Sequence, residues 1–127
     1  MERRVVIIED ERDVARLLEF NLRSAGFEVT SAATGGAGIT EVARVKPDVV
    51  VLDLMLPDQS GYEVCKQIRA DPDPSIAATK IVVISVKGYA TDIKTAKEVG
   101  ANHYLVKPHS VRELMTVVER ELGPAPR

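Results

Sequence analysis

The chain has 127 residues, 45% hydrophobic and 28% charged, the size and balance of one globular domain. A net charge of −2 leaves no basic footprint for nucleic acid, no apolar run is long enough to span a membrane, and no charged-then-apolar leader points to export. The single cysteine, Cys65, has no internal partner for a disulfide, which fits a reducing cytoplasm; lying between Val64 and Ile68 in a helical pattern, it reads as a small buried apolar residue.

In chain order, Val5–Ile8 reads as a strand. Val14, Leu17, Leu18 and Leu22 repeat at helical spacing, and Gly26 follows as a C-terminal cap. Glu28–Ser31 is the second strand and Ala37–Val45 the second helix. Val49–Leu52 is a third strand, and so apolar a run is buried on both faces of a sheet. Ser60 with Glu63 forms an S-x-x-E capping box, which starts a helix at that serine. Asp71–Lys80, "DPDPSIAATK", reads as a turn-rich loop. Ile81–Ile84 is the fourth strand, Asp92–Val99 a helix closed by Gly100, and Tyr104–Val106 the fifth strand. Ser110 and Glu113 form a second capping box, ahead of Val111, Leu114, Met115, Val118 and Leu122 at helical spacing. The pattern is (βα)₅, an α/β fold whose parallel sheet is covered on both faces through right-handed crossovers. One domain over residues 1–122 and a tail or linker stub over residues 123–127, "GPAPR", are expected.

Parallel sheets of this kind hold ligands beyond the carboxyl ends of their strands. The first strand ends in Glu9, Asp10 and Glu11, the third in Asp53, the fourth in Ser85 and the fifth in Lys107. With Glu11 read as a solvated charge, three carboxylates (Glu9, Asp10 and Asp53), a hydroxyl and an ammonium thus converge on one rim. A carboxylate at the end of a buried apolar strand is costly unless something pairs with it. Mutually repelling carboxylates call for a cation, and hard oxygen ligands suit Mg²⁺. Asp53 can then act as a nucleophile that takes a phosphoryl group, with Lys107 neutralising phosphoryl oxygens and Ser85 donating a hydrogen bond to one of them. An ionised carboxylate needs no base to activate it.

The segments "VVIIEDE", "PDVVVLDLMLPDQSG", "IVVISVKG" and "GANHYLVKP" together resemble the receiver domains of two-component response regulators, over about Arg4 to Leu122. The resemblance implies a flavodoxin-like sheet of order 2-1-3-4-5 and a signalling switch that assists only its own phosphorylation and dephosphorylation. It implies phosphorylation of Asp53. It places Mg²⁺ on Asp10, Asp53 and the Met55 backbone carbonyl, with Glu9 reached through water. It implies that Ser85 moves toward the phosphoryl group and that Tyr104 then turns inward. Its implied partners are a sensor histidine kinase or phosphotransfer protein, and a downstream protein or output domain. The moving surface is the fourth helix, its leading loop Val86–Asp92 and the fifth strand.

Several positions depart from the family pattern. Val86 stands where a small residue is usual and is expected to narrow the entrance for phosphodonors. His109 stands where phenylalanine is common. Ile93, Thr95, Asn102, His103 and Val117 occupy places that carry paired charges in regulators that dimerise through the fourth helix, fifth strand and fifth helix, so no salt-bridged dimer of that kind is expected. His103 and His109 read as isolated surface residues rather than metal ligands. The resemblance implies that Met55 and Lys87, two residues after Asp53 and after Ser85, tune the attack of water on the acyl phosphate; neither can act as a general base, so a long-lived phosphorylated state is expected. Three rival readings fit the residues less well. A haloacid-dehalogenase-like phosphatase needs a second aspartate where Met55 stands, and its nucleophile after the first strand. A degenerate, phosphorylation-independent receiver would not need the full set of Glu9, Asp10, Asp53, Ser85 and Lys107. A flavin module would want more than 4% aromatic residues.

Overall fold

The computed structural model describes residues 3–86, 90–106 and 111–122. The elements run β1 (Arg4–Ile8), α1 (Arg12–Ser24), β2 (Glu28–Ala32), α2 (Gly35–Val45), β3 (Val49–Asp53), α3 (Gly61–Arg69), a short helical turn (Pro74–Ala77), β4 (Lys80–Ser85), α4 (Ala90–Glu98), β5 (His103–Val106) and α5 (Val111–Leu122). The five strands are parallel in the order β2-β1-β3-β4-β5.

Alternation along the strands divides the core in two. Val6, Ile8, Val50, Leu52, Ile81 and Val83 face one way, against Val42 of α2, Val64, Cys65 and Ile68 of α3, and Ala96 of α4. Val5, Ile7, Val49, Val51, Val82 and Ile84 face the other way, against Leu18 and Leu22 of α1 and Leu114 and Val118 of α5. Each fully buried aliphatic side chain contributes about 1.5–3 kcal/mol, so the three central strands carry most of the apolar stabilisation. Because β3 is apolar on both faces, its sidedness does little to penalise a slipped pairing. Asp53 does penalise it, since a shift toward the strand's start would draw a carboxylate into the sheet interior.

The expected elements are present, with strand ends shifted by single residues and three larger revisions. α2 starts at Gly35 rather than Ala37, capped by the Thr34 hydroxyl, which accepts from the Ala37 N–H. α4 starts at Ala90 rather than Asp92. The segment expected as a loop holds a helical turn, with Asp73 as its N-cap and Pro74 in its first position, and Lys80 already belongs to β4. Gly26 (φ 98°) and Gly100 (φ 105°) close α1 and α4 in the left-handed conformation, as their sequence positions predict. The Ser60 cap on α3 forms with the Glu63 N–H. Ser110 of the second capping box and the tail at 123–127 lie outside the described residues.

One stripe of α3 fastens α4. The Tyr62 hydroxyl donates to the Asp92 carbonyl at 3.2 Å, in the first turn of α4. Cys65 Sγ donates to the Val99 carbonyl at 3.2 Å, just beyond its end. Arg69 donates from Nε and Nη2 to the Gly100 carbonyl at 3.0 and 2.7 Å. The same guanidinium also donates to the carbonyls of Ala77 and Thr79 and to Asn102 Oδ1. By contrast, among the described side chains of α4 only Ala96 is fully buried, with Ile93 of the helix and Val99 just beyond it half-buried.

Candidate functional site

The parallel sheet delivers the strand ends to one edge. Register pairs Ile8 with Leu52 and Asp53 with Ile84, so Glu9, Asp53 and Ser85 lie close together beyond the central strands. Glu9 prolongs β1 by donating its N–H to the Ala32 carbonyl at 3.0 Å. Its side chain is 2% exposed and that of Asp53 is 4% exposed, while Asp10 is exposed. Ligand oxygens of Glu9, Asp10 and Asp53 all lie within 4.8 Å of one another. Three hard carboxylate donors so close together, two of them buried, form a set suited to a small divalent cation such as Mg²⁺. Asp10, Glu11, Asp53, Met55 and Val86 line a cavity of about 310 Å³ over this group. Met55 and Val86 are more than half exposed, so two apolar side chains flank the mouth.

The loop from β3 to α3 is built tightly around Asp53. Asp53 Oδ1 accepts the Met55 N–H at 3.0 Å, which orients the carboxylate and turns the chain. Met55 forms an antiparallel bridge to Ser60, and the Gly61 N–H donates to the Leu54 carbonyl at 2.9 Å. A Cβ on Gly61 would stand 2.5 Å from the Asp53 carbonyl oxygen and 2.7 Å from Leu54 Cα. Only glycine lets α3 begin against the end of β3. At the tip, Asp58 Oδ1 and Oδ2 accept the N–H groups of Gly35 and Gly36 at 2.8 and 2.9 Å, and these bonds hold its carboxyl below the usual range.

Ser85 is fully buried at the end of β4. Tyr104 of β5 is half-buried, packs against the α2–α4 side of the core and makes a side-chain hydrogen bond with Ser85. Burial pushes the Tyr104 hydroxyl's pKa up. The bond to Ser85 opposes that, and the Asp92 and Asp53 carboxylates add to the rise. Tyr62 is pushed up to about 12, chiefly by burial and then by the charge of Asp92. The sequence-predicted residues Glu9, Asp10, Asp53, Met55, Ser85 and Tyr104 are therefore together at one edge. Lys107, Pro108 and His109, with Lys87 and Gly88 of the loop after Ser85, lie outside the described residues.

Away from the rim, His103 is not isolated: its Nε2 lies 2.5 Å from Glu121 Oε1, and Lys80 Nζ is 3.8 Å from Glu121 Oε2. Asn102 Oδ1 accepts from both Arg69 and the Ile81 N–H. The polar groups of β5 and of the turn before it are thus engaged within the chain. Burial raises the Cys65 thiol's pKa, which keeps it a poor nucleophile, as its helical setting predicts. Asp58, Arg69 and Thr34 escaped the sequence reading. A threonine directly before a helix was a usable signal for the last; contacts at sequence distances of 23 and 31 residues left none for the first two.

Residues 5–119 match the family described as the response regulator receiver domain. Solved structures agree over almost the whole chain. The chain is 25% identical to the chemotaxis response regulator CheY4 of Vibrio cholerae, covering 95% of this chain and 99% of that one with a TM-score of 0.88. It is 33% identical to a putative response regulator from Chloroflexus aurantiacus J-10-fl, covering 96% and 98% with a TM-score of 0.86. It is 26% identical to the BeF3-activated N-terminal receiver domain of Klebsiella pneumoniae RstA, covering 94% and 98% with a TM-score of 0.84. A doubly wound 2-1-3-4-5 sheet, an acidic group at its carboxyl edge and a family match across 5–119 make one conclusion: this chain belongs to the receiver domains of two-component response regulators.

Proposed function

We propose that the chain is a phosphorylation-dependent signalling switch whose phosphoacceptor is Asp53. The observation that carries the reading is the Glu9–Asp10–Asp53 group at the sheet's carboxyl edge, with buried Ser85 beside it. The ligands for Mg²⁺ are Asp10, Asp53 and the Met55 carbonyl, with Glu9 behind them. When bound, the ion supplies positive charge against the phosphoryl oxygens. An Asp53 carboxylate oxygen attacks phosphorus. With a phosphohistidine donor the P–N bond breaks, and the imidazole leaves with the electron pair and takes up a proton. An acyl phosphate remains on Asp53. The Met55 N–H holds Oδ1 and so fixes the carboxylate's orientation for attack. Ser85 donates to a phosphoryl oxygen, and Lys107 pairs first with the carboxylate and then with the phosphoryl group.

The hydrogen bond between Ser85 and Tyr104 supports a path from the site to the surface. A serine drawn toward a phosphoryl group changes what holds Tyr104 beside α4. The phosphodonor is a sensor histidine kinase or phosphotransfer protein, and the reader is a downstream protein or an output domain. The setting is cytoplasmic, and the receiver unit is residues 1–122, with 123–127 as tail or linker. Among the described residues no helix is long and apolar enough to cross a membrane.

Acetyl phosphate with Mg²⁺ tests the reading. Wild type should gain one phosphoryl group, lost when the metal is chelated, and Asp53→Asn should gain none. Full labelling of Asp53→Asn overturns the assignment. Failure of wild type to label from acetyl phosphate and from every histidine kinase of its host would favour a phosphorylation-independent module.

A further inference from the structure

Asp58 lies outside the acidic group, yet it ties the loop that borders that group to a helix from elsewhere in the chain. Its two carboxylate oxygens take the first two N–H groups of α2, from Gly35 and Gly36. Gly35 makes room for this. A Cβ on Gly35 would stand 2.7 Å from Gln59 Cγ and 2.9 Å from Val64 Cγ2. A "TGG" helix start is poor by propensity. It is stabilised here by a carboxylate 22 residues downstream, favourably placed at the positive end of the helix dipole.

From that geometry we propose that Asp58 is a positioning residue for the metal site. This rests on the reading of the site given above. The loop is held at its base by the Met55–Ser60 bridge and the Gly61 N–H, and at its start by Asp53 Oδ1. Asp58 fastens its far end to α2. Met55 is itself held at the loop's base, and its backbone carbonyl, on the same loop that Asp58 fastens, is the ligand that no side chain can replace. Fastening the tip to α2 restricts the positions that carbonyl can take before metal arrives. Without it, the loop tip is free to sample others, and binding must order it.

Two variants at the same helix end separate a loop clamp from a helix cap. Thr34→Ala removes the hydroxyl that accepts the Ala37 N–H, and so weakens α2 without touching the loop. Asp58→Ala removes the bonds that join α2 to the loop. Mg²⁺ titrations of the folded proteins, followed by amide NMR shifts at Asp10 and Asp53, read affinity without any phosphoryl transfer. We expect Asp58→Ala to weaken Mg²⁺ binding about tenfold, the low end of what loss of a ligand-orienting partner costs. Asp58→Asn keeps one acceptor oxygen and should fall between. Thr34→Ala should lose thermal stability yet bind Mg²⁺ as wild type does. An unchanged affinity in Asp58→Ala, or an equal loss in Thr34→Ala, overturns the proposal. A wild type whose Asp10 and Asp53 amides ignore Mg²⁺ overturns the metal reading along with it.

Discussion

Two glycines in the first turns of α3 and α2 should respond to the same substitution with opposite signs. Gly61→Ala places a methyl 2.5 Å from the Asp53 carbonyl oxygen and 2.7 Å from Leu54 Cα. Both are backbone atoms of a fully buried strand end, so neither can yield cheaply. Overpacking of this kind costs about 1–3 kcal/mol, and rigid partners put this case near 3. In urea, with a slope of about 2 kcal/mol per molar for a domain of this size, the midpoint should fall by roughly 1.5 M. Gly36→Ala places its methyl 3.5 Å from Asp58 Oδ2, an ordinary contact, on an exposed first turn. There the gain in helix propensity should stabilise by about 0.5–1 kcal/mol. Far-ultraviolet circular dichroism follows both, since the chain has no tryptophan. Phosphorylation adds a second reading: the displaced Asp53 backbone should slow labelling of Gly61→Ala from acetyl phosphate, while Gly36→Ala labels normally. A Gly61→Ala protein within about 0.5 kcal/mol of wild type, below the overpacking range, would refute the close-approach argument.

Replacing Arg69 by methionine leaves the carbonyls of Ala77, Thr79 and Gly100 without their donor, and unfolding free energy should drop by about 3 kcal/mol. Arg69→Lys should recover little of it, because an ammonium lacks the planar fork, and a full recovery would argue that charge alone matters. Asp73 is held down from 3.8 to about 2, first by the Ser75 hydroxyl and then by Lys46. A depressed carboxyl stabilises the fold above its unfolded pKa, and that contribution is lost as pH falls from about 4 to 2. Asp73→Asn should flatten the stability profile across that window, and an identical profile would remove Asp73 from it. Met55 carries no group that hydrogen-bonds water strongly and flanks the cavity mouth. Met55→Asn combined with Lys87→Glu should shorten the lifetime of phosphorylated Asp53, measured as loss of label after the donor is removed. Unchanged decay would show that these side chains do not gate water.

β1, β3 and β4 were legible because each is a short apolar run, and in β3 every residue is buried. The carboxylate group was legible for a related reason: parallel strands bring their carboxyl ends to one edge, so Glu9, Asp10 and Asp53 must meet there. The start of α2 was hidden because Gly35 and Gly36 have low helix propensity and a distant carboxylate overrides it. The helical turn at Pro74 was obscured by the surrounding "DPDP", although an aspartate followed by proline is a recognised helix start. The partners of His103 and Arg69 depend on tertiary proximity alone. So does the approach of Tyr104 to Ser85, which alternation within a four-residue strand cannot foretell.

The fastening of α4 has a mechanical consequence. Its trailing end carries the bonds from Cys65 and Arg69 to Val99 and Gly100, beside a glycine in the left-handed conformation. Its leading end is held to α3 by the Tyr62 hydroxyl. The two ends are therefore held unequally: loss of the Tyr62 hydroxyl alone would loosen the leading turn, whereas the trailing end would keep its bonds until both Cys65 and Arg69 let go.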